Sequence, residues 1–434
     1  MEAWLALGGF IAALLVFLST GTPVAVSMGL IAIGGLALFV SWPAAGQLAN
    51  IAYAEASSFI LIVVPLFVFM GEVLARSGLG ETLFAAGRIW LRRLPGASAL
   101  GTIAACTAFA SVSGSSPVTA ATVGAFAIKE MDRQGYARRL SLGATAAGGT
   151  LGILIPPSVP MILYGVLTET SIAALFIAGI LPGLMLAILL GVTVIALVLR
   201  DPSIAPADSR RTPWPEKLRS LLQLWPILLL IFGVIGSIYA GLATPTEAAA
   251  VGAVGAMVIA ASRRRLNLAV LREALDGSVR TTAMFLLLLI SGLLVTFLLA
   301  RLGIPQALAA TLTALPLPPW GIMACIVGLL ILLGFFMDPL SILVIVVPIF
   351  FPVVTALGYD PVWFGIVVTL TIEIAAITPP VGFNLFVLRS VVPGAGMQQI
   401  AMGAVVFVIP MLVGLVLLFL VPEIALWLVP TQYR

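Results

Sequence analysis

Residues 148–160 read GGTLGILIPPSVP, a run apolar enough for a membrane span yet unable to form one unbroken helix. Pro156 and Pro157 lack the N–H that an α-helix needs, and their rings clash with the preceding turn. A second such stretch, ITPPVGFN, stands at 377–384, so Pro156-Pro157 returns as Pro379-Pro380 after 223 residues. Other anchors keep nearly the same interval. Thr22-Pro23 returns as Thr244-Pro245 and Pro117 as Pro339, both after 222 residues, and Gly135-Tyr136 returns as Gly358-Tyr359 after 223. The chain therefore reads as a duplication over 1–200 and 223–434, joined by a polar cytoplasmic linker, 201–222, that holds Pro202, Pro206, Pro213 and Pro215.

Composition sets the solvent. Of 434 residues 62% are hydrophobic and 9% charged, whereas soluble domains carry roughly 45–50% apolar and about 25% charged residues. A single water-soluble domain is excluded, and at about 20 residues per span there is room for about ten crossings. The net charge of +4 marks cytoplasmic loops rather than a nucleic-acid surface. The chain has no His, and its two cysteines, Cys106 and Cys325, stand isolated in apolar segments. Ser-His dyads, His-ligated metals and thiolate clusters therefore lack their ligands. A serine nucleophile in GSS, 114–116, would need a base, and the only lysines, Lys129 and Lys217, sit in polar segments away from it. An intramembrane hydrolase is thus disfavoured and the chain reads as no enzyme. The N-terminal run MEAWLALGGFIAALLVFL carries Glu2 instead of a basic n-region, so it is expected to remain as a span.

Basic residues cluster at 76–93, 129–139, 200–219 and 263–280, with Arg389 alone near the end. By the positive-inside rule these are cytoplasmic. Spans follow at 3–19, 23–41 and 51–75, then an amphipathic interfacial segment at 77–95. Residues 96–128 are too few for two crossings and read as a re-entrant hairpin with a non-helical tip, SVSGSSPVTAA, at 111–121. A broken span, 141–163, and a full span, 171–199, complete the first half. The second half repeats this order with spans at 223–240, 246–262 and 281–300, a hairpin at 320–356 broken by GFFMDPLS (334–341), a broken span at 362–387 and a last span at 400–421. Five crossings per half is an odd number, so the second copy is upside down and its hairpin enters from outside. On this path 19 of the 21 basic residues are cytoplasmic and both termini are periplasmic. The fold expected is an all-α polytopic membrane protein built from two inverted-topology repeats, an architecture of secondary transporters that bind substrate and coupling ion near the midplane.

Candidate ligands concentrate at the tips and breaks. The first half offers Ser111, Ser113, Ser115, Ser116 and Thr119, with Gly149, Thr150, Gly152 and the carbonyls freed by Pro156 and Pro157. Such hard, neutral oxygens suit a dehydrated monovalent cation, sodium above all, while small residues also simply let helices pack closely. The second half offers Gly334, Asp338, Ser341, Thr378, Pro380, Gly382 and Asn384. A carboxylate inside a membrane hairpin is costly and marks Asp338 as functional; Asp338-Pro339 also suits an N-cap followed by proline in the first turn. Glu373, one turn before Thr378, is the other intramembrane acid, whereas Glu55, Glu72 and Glu247 lie near span ends, where snorkelling or capping accounts for them. Helix N-termini at Pro117 and Pro339 would favour an anionic group between them, which makes an organic acid the natural cargo. Arg389 would either help to hold its carboxylate or serve as a positive-inside anchor.

Over essentially its whole length the chain resembles the large membrane subunit of tripartite ATP-independent periplasmic (TRAP) transporters. The resemblance rests on SVSGSSPVTAATVGAFAIKEM (111–131), GGTLGILIPPSVPMILYG (148–165), FIAGILPGL (176–184), GLATPTEAAAVGA (241–253), FFMDPLSILVIVVPIFFPV (335–353) and ITPPVGFNLFVL (377–388). It implies an elevator-type, sodium-driven importer of an organic acid in a bacterial inner membrane, the acid being a C4-dicarboxylate, sialic acid or another sugar acid. A periplasmic binding protein would deliver the substrate, a separate small four-helix membrane subunit would brace the chain, and no cofactor beyond the coupling Na+ is implied. Carried over by position, the first sodium site would involve Ser113, Ser115, Ser116, Gly149, Gly152 and Pro157, and the second Gly334, Asp338, Thr378, Pro380 and Gly382. Substrate would lie between the tips, near Ser116, Thr119, Asp338, Asn384 and Arg389. The alternatives are a stand-alone sodium- or proton-coupled carboxylate carrier or antiporter, which needs no binding protein, and a channel, which has no use for two hairpins entering from opposite sides.

Overall fold

A computed structural model describes residues 2–206, 212–314, 316–379, 382–392 and 394–430, and every regular element among them is helical. The first half runs α1 (Glu2–Ser19), α2 (Val24–Gly35, continued by a π turn, Leu36–Val40), α3 (Trp42–Ala45), α4 (Gln47–Ala56), a 3-10 turn (Phe59–Ile62), α5 (Val63–Arg76) and α6 (Leu79–Leu91). Then come a helical hairpin, α7 (Ala97–Ser113) with α8 (Ser116–Arg133), a broken pair, α9 (Arg138–Leu154) with α10 (Val159–Thr168), and α11 (Ile172–Arg200). The second half gives α12 (Trp214–Tyr239), α13 (Pro245–Ser262), α14 (Leu268–Arg301) and α15 (Ile304–Thr313). Its hairpin is α16 (Pro319–Gly334) with α17 (Pro339–Ala356), its broken pair α18 (Pro361–Ala376) with α19 (Phe383–Val391), and α20 (Met397–Leu420) and α21 (Glu423–Leu426) close the chain.

Eight helical segments among the described residues are long and apolar enough to cross a membrane. Large apolar side chains such as Leu15, Ile188, Phe232, Val258 and Ile409 are exposed on the outside, where only lipid would accept them. The chain is an all-α polytopic membrane protein. Burial sorts its helices into layers: the most apolar stretch of α9–α10 is 89% buried but that of α12 only 22%, so α9 runs through the interior and α12 along the rim. Helix α9 packs against α7, α8, α11, α18 and α20, and all of α18 beyond Pro361 is buried as well. The two interrupted helices thus lie at the centre.

The recurring Gly-Tyr pair has a local cause. Gly135 and Gly358 adopt φ of 81° and 83° just past α8 and α17. Tyr136 N–H then reaches back to the Met131 carbonyl at 3.0 Å and Tyr359 N–H to Val354 at 3.2 Å, the left-handed stop that satisfies carbonyls left open at a helix end.

Four expected boundaries shift. The first tip is tighter than 111–121, because only Gly114 and Ser115 are non-helical; Pro117 falls in the first turn of α8, where its missing N–H costs nothing. The expected span 51–75 is divided, since α4 ends at Ala56 and the hydroxyl of Ser57 bonds back to the Tyr53 carbonyl at 2.7 Å before the chain turns. Helix α12 begins at Trp214, inside the segment read as linker, with Pro215 in its first turn. Helix α14 starts at Leu268 rather than 281, capped by Asn267 accepting from Val270 N–H at 2.8 Å, so its 34 residues extend about 51 Å and overrun a bilayer core.

Candidate functional site

At the first tip Gly114 takes φ of 61° and Ser115 is extended, which turns the chain directly into α8. The hydroxyls of Ser113 and Thr119 are 2.7 Å apart across this turn. The tip is seated on the break between α9 and α10: Val159 N–H donates to the Gly114 carbonyl at 3.3 Å. A Cβ at Gly152 would stand 2.5 Å from the Ser115 carbonyl oxygen, one at Gly114 would stand 2.8 Å from the Pro157 oxygen, and one at Gly149 would stand 2.6 Å from Ala120 Cβ. Bare glycine backbone is what allows the contact. Pro156 occupies the position whose N–H would otherwise pair with the Gly152 carbonyl. Ser113, Ser115, Ser116, Gly152 and Pro157 therefore meet at one place, while Gly149 packs a turn away against α8.

The second tip differs in chemistry. Asp338 caps α17, accepting from the N–H groups of Leu340 and Ser341 at 3.1 Å each and from the Ser341 hydroxyl. Gly334 lies against Ala375 of α18. The Thr378 hydroxyl donates to the Ile374 carbonyl at 2.5 Å, and a Cβ at Gly382, whose φ is 57°, would approach the Thr378 carbonyl to 3.2 Å. Pro380, the remaining member of that predicted set, falls outside the described residues.

A contact between the halves joins the two sites. Ser116, at the start of α8, donates to Glu373 Oε2 of α18 at 3.2 Å and accepts from Asn384 Nδ2 of α19. All three residues are 0% exposed. Asn384, predicted as a substrate ligand, therefore lies behind the tip rather than in an opening. Glu373 is the residue that the predicted ligand sets omit; its mid-span position was the only local signal.

Both tips open on one cavity of about 380 Å³, walled by Ser113–Val118 from the first hairpin, Asp338–Leu340 from the second, and Glu72, Thr281 and Met284 from α5 and α14. Among the described residues no Lys or Arg lines it. Glu72, one turn before the end of α5, lines this wall and pairs with Arg76, which also reaches Glu273 at 3.3 Å. Of the other predicted substrate residues, Thr119 is turned to Ser113, and Arg389 is exposed in the last turn of α19 and does not line the cavity. A larger hollow of about 850 Å³ lies among the turns after α4, α10 and α12, where Thr244 and Glu247 form a capping box on α13. It contains neither hairpin tip.

The family model and the sequence relatives agree on one family. The model of the tripartite ATP-independent periplasmic transporter, DctM component, matches residues 11–424. The chain is 37% identical over 377 residues to the C4-dicarboxylate TRAP transporter large permease protein DctM of Pseudomonas aeruginosa, covering 86% of this chain and 87% of that one. It is 34% identical over 373 residues to the sialic acid TRAP transporter large permease protein SiaM of Vibrio cholerae, covering 86% of each. Among solved structures, the Alcanivorax borkumensis YdaH transporter superposes with a TM-score of 0.62 at 17% identity, over 88% of this chain and 89% of that one, a likeness of fold.

Proposed function

The chain belongs to the DctM component family of tripartite ATP-independent periplasmic transporters, and from that premise we propose that it carries an organic acid inward on a sodium gradient, binding the acid in the cavity between the hairpin tips. Membership makes it a large permease subunit of a multi-pass membrane transporter, which supports a role in transport rather than catalysis. One observation supports the reading of the site: the first turns of α8 and α17 both border that cavity, at Pro117 and at Pro339. The N-terminus of α8, which no side chain caps, directs partial positive charge into that space, which suits a carboxylate, whereas Asp338 already caps that of α17. Sodium belongs at the oxygen-rich contacts behind each tip, near Ser113–Ser116 and Gly152 in the first half and near Thr378 and Gly382 in the second. The related C4-dicarboxylate and sialic acid permeases support a carboxylic acid of small to moderate size as the cargo. The two halves are inverted repeats whose hairpins move with the cargo against α2, α5, α13 and α14. A periplasmic binding protein and a separate small membrane subunit complete the machine in the inner membrane.

The test is uptake of labelled succinate and sialic acid by proteoliposomes that contain the chain and its small subunit, with the binding protein added outside. An inward sodium gradient should drive uptake of one of them, and a potassium gradient of equal size should not. Uptake indifferent to sodium, or equally fast without binding protein, would replace this reading with the proton-coupled or stand-alone carrier.

A further inference from the structure

Deep in the contact between the halves, two acceptors have no partner. Glu373 Oε1 and Asn384 Oδ1 are buried and unbonded, and both residues hold the same group, the Ser116 hydroxyl, through their other atom. That hydroxyl donates one bond and accepts one, so it keeps a free lone pair. Three hard oxygens, from α8, α18 and α19, therefore lie on side chains bonded to one another. Among the described residues no Lys or Arg pairs with Glu373, although a carboxylate sealed from water calls for a positive partner. A neutral water would fill the two acceptors but leave the charge uncompensated. A monovalent cation does both, and oxygen donors of this kind select sodium over softer metals.

We propose that Ser116, Glu373 and Asn384 form an anionic cation site in which the coupling sodium of the first hairpin is charge-compensated by a carboxylate from the opposite half. The inference rests on the sodium-driven reading above and adds to it the residue that carries the counter-charge. The position has a mechanical meaning. Ser116 lies 257 residues from Glu373 and 268 from Asn384, so a cation held among them ties the first hairpin tip to the second broken helix. Loading the ion and docking the two halves become one event.

The experiment is equilibrium binding of radioactive sodium to the detergent-purified full chain, read beside its thermal unfolding midpoint across a sodium series balanced with potassium. Glu373→Gln keeps the size and the contact with Ser116 but removes the charge. It should bind one sodium ion fewer, or bind it at least about tenfold more weakly, and its midpoint should rise less steeply with sodium than that of the wild type. Asn384→Ala, which deletes one acceptor, should weaken binding in the same direction and serves if Glu373→Gln cannot be purified as a single species. Wild-type sodium binding in both variants overturns the site while leaving sodium-driven transport standing. No sodium binding by the wild-type chain overturns both. If sodium binding is unchanged but Glu373→Gln abolishes a pH dependence of the midpoint, the carboxyl carries a proton and the sodium assignment is wrong.

Discussion

The side chain of Asp338 is held by its own helix: two backbone N–H groups and the Ser341 hydroxyl turn to it. If capping is its main work, Asp338→Asn, which keeps an acceptor oxygen, should unfold within about 0.5 kcal/mol of the wild type, and Asp338→Ala should lose about 1 kcal/mol. Chemical or thermal unfolding of the purified chain separates these cases, and an Asn variant as weak as Ala would show that the charge itself is required. Gly152 makes a different kind of demand, because an added methyl would meet the Ser115 carbonyl. Gly152→Ala should cost about 1–3 kcal/mol by overpacking and loosen the seat of the first tip, which unfolding midpoints would detect. The capping role of Asp338 could be read from Asp-Pro alone, since cap and proline adjoin in sequence. The bond of Ser116 to Glu373 could not, because nothing near either residue indicates a partner 257 positions away.

Among the elements, hairpins and breaks were the most legible, because proline and glycine act locally and the repeat shows them twice. Their edges were not: a tip that looks eleven residues wide in a small-residue run closes to Gly114 and Ser115, since serine and alanine continue a helix readily once packing holds it. The division at Ser57 was hidden for the opposite reason, an apolar run on its far side masking a turn set by serine bonding to its own backbone. Helix α13 provides a clean element-scale test. Thr244 N–H donates to Glu247 Oε2 at 2.8 Å and Glu247 N–H to Thr244 Oγ1 at 3.3 Å, closing both ends of the box. Thr244→Ala should destabilise the chain by about 1 kcal/mol. In a double-mutant cycle with Glu247→Ala the two losses should fall short of additivity; full additivity would mean that the box contributes nothing as a pair.

For the whole molecule, the duplication and the charge clusters predict a path through the bilayer that side-chain chemistry can check. Leu242, exposed in the turn between α12 and α13, and Arg265, exposed in the turn after α13, stand at opposite ends of an 18-residue helix. In a chain with Cys106 and Cys325 replaced by Ala, Leu242→Cys should react with an impermeant maleimide in intact cells and Arg265→Cys only after disruption. The reverse pattern would turn the whole fold over. The central cavity has one more consequence, which concerns order in time. Among the described residues its wall includes Asp338 and the Arg76-paired Glu72 but no Lys or Arg, so an anion arriving first would face carboxylates with only helix ends to welcome it. On the sodium-driven function proposed above, the ion is expected to bind before the acid, so that the cargo site takes up its anion only once the driving gradient is present.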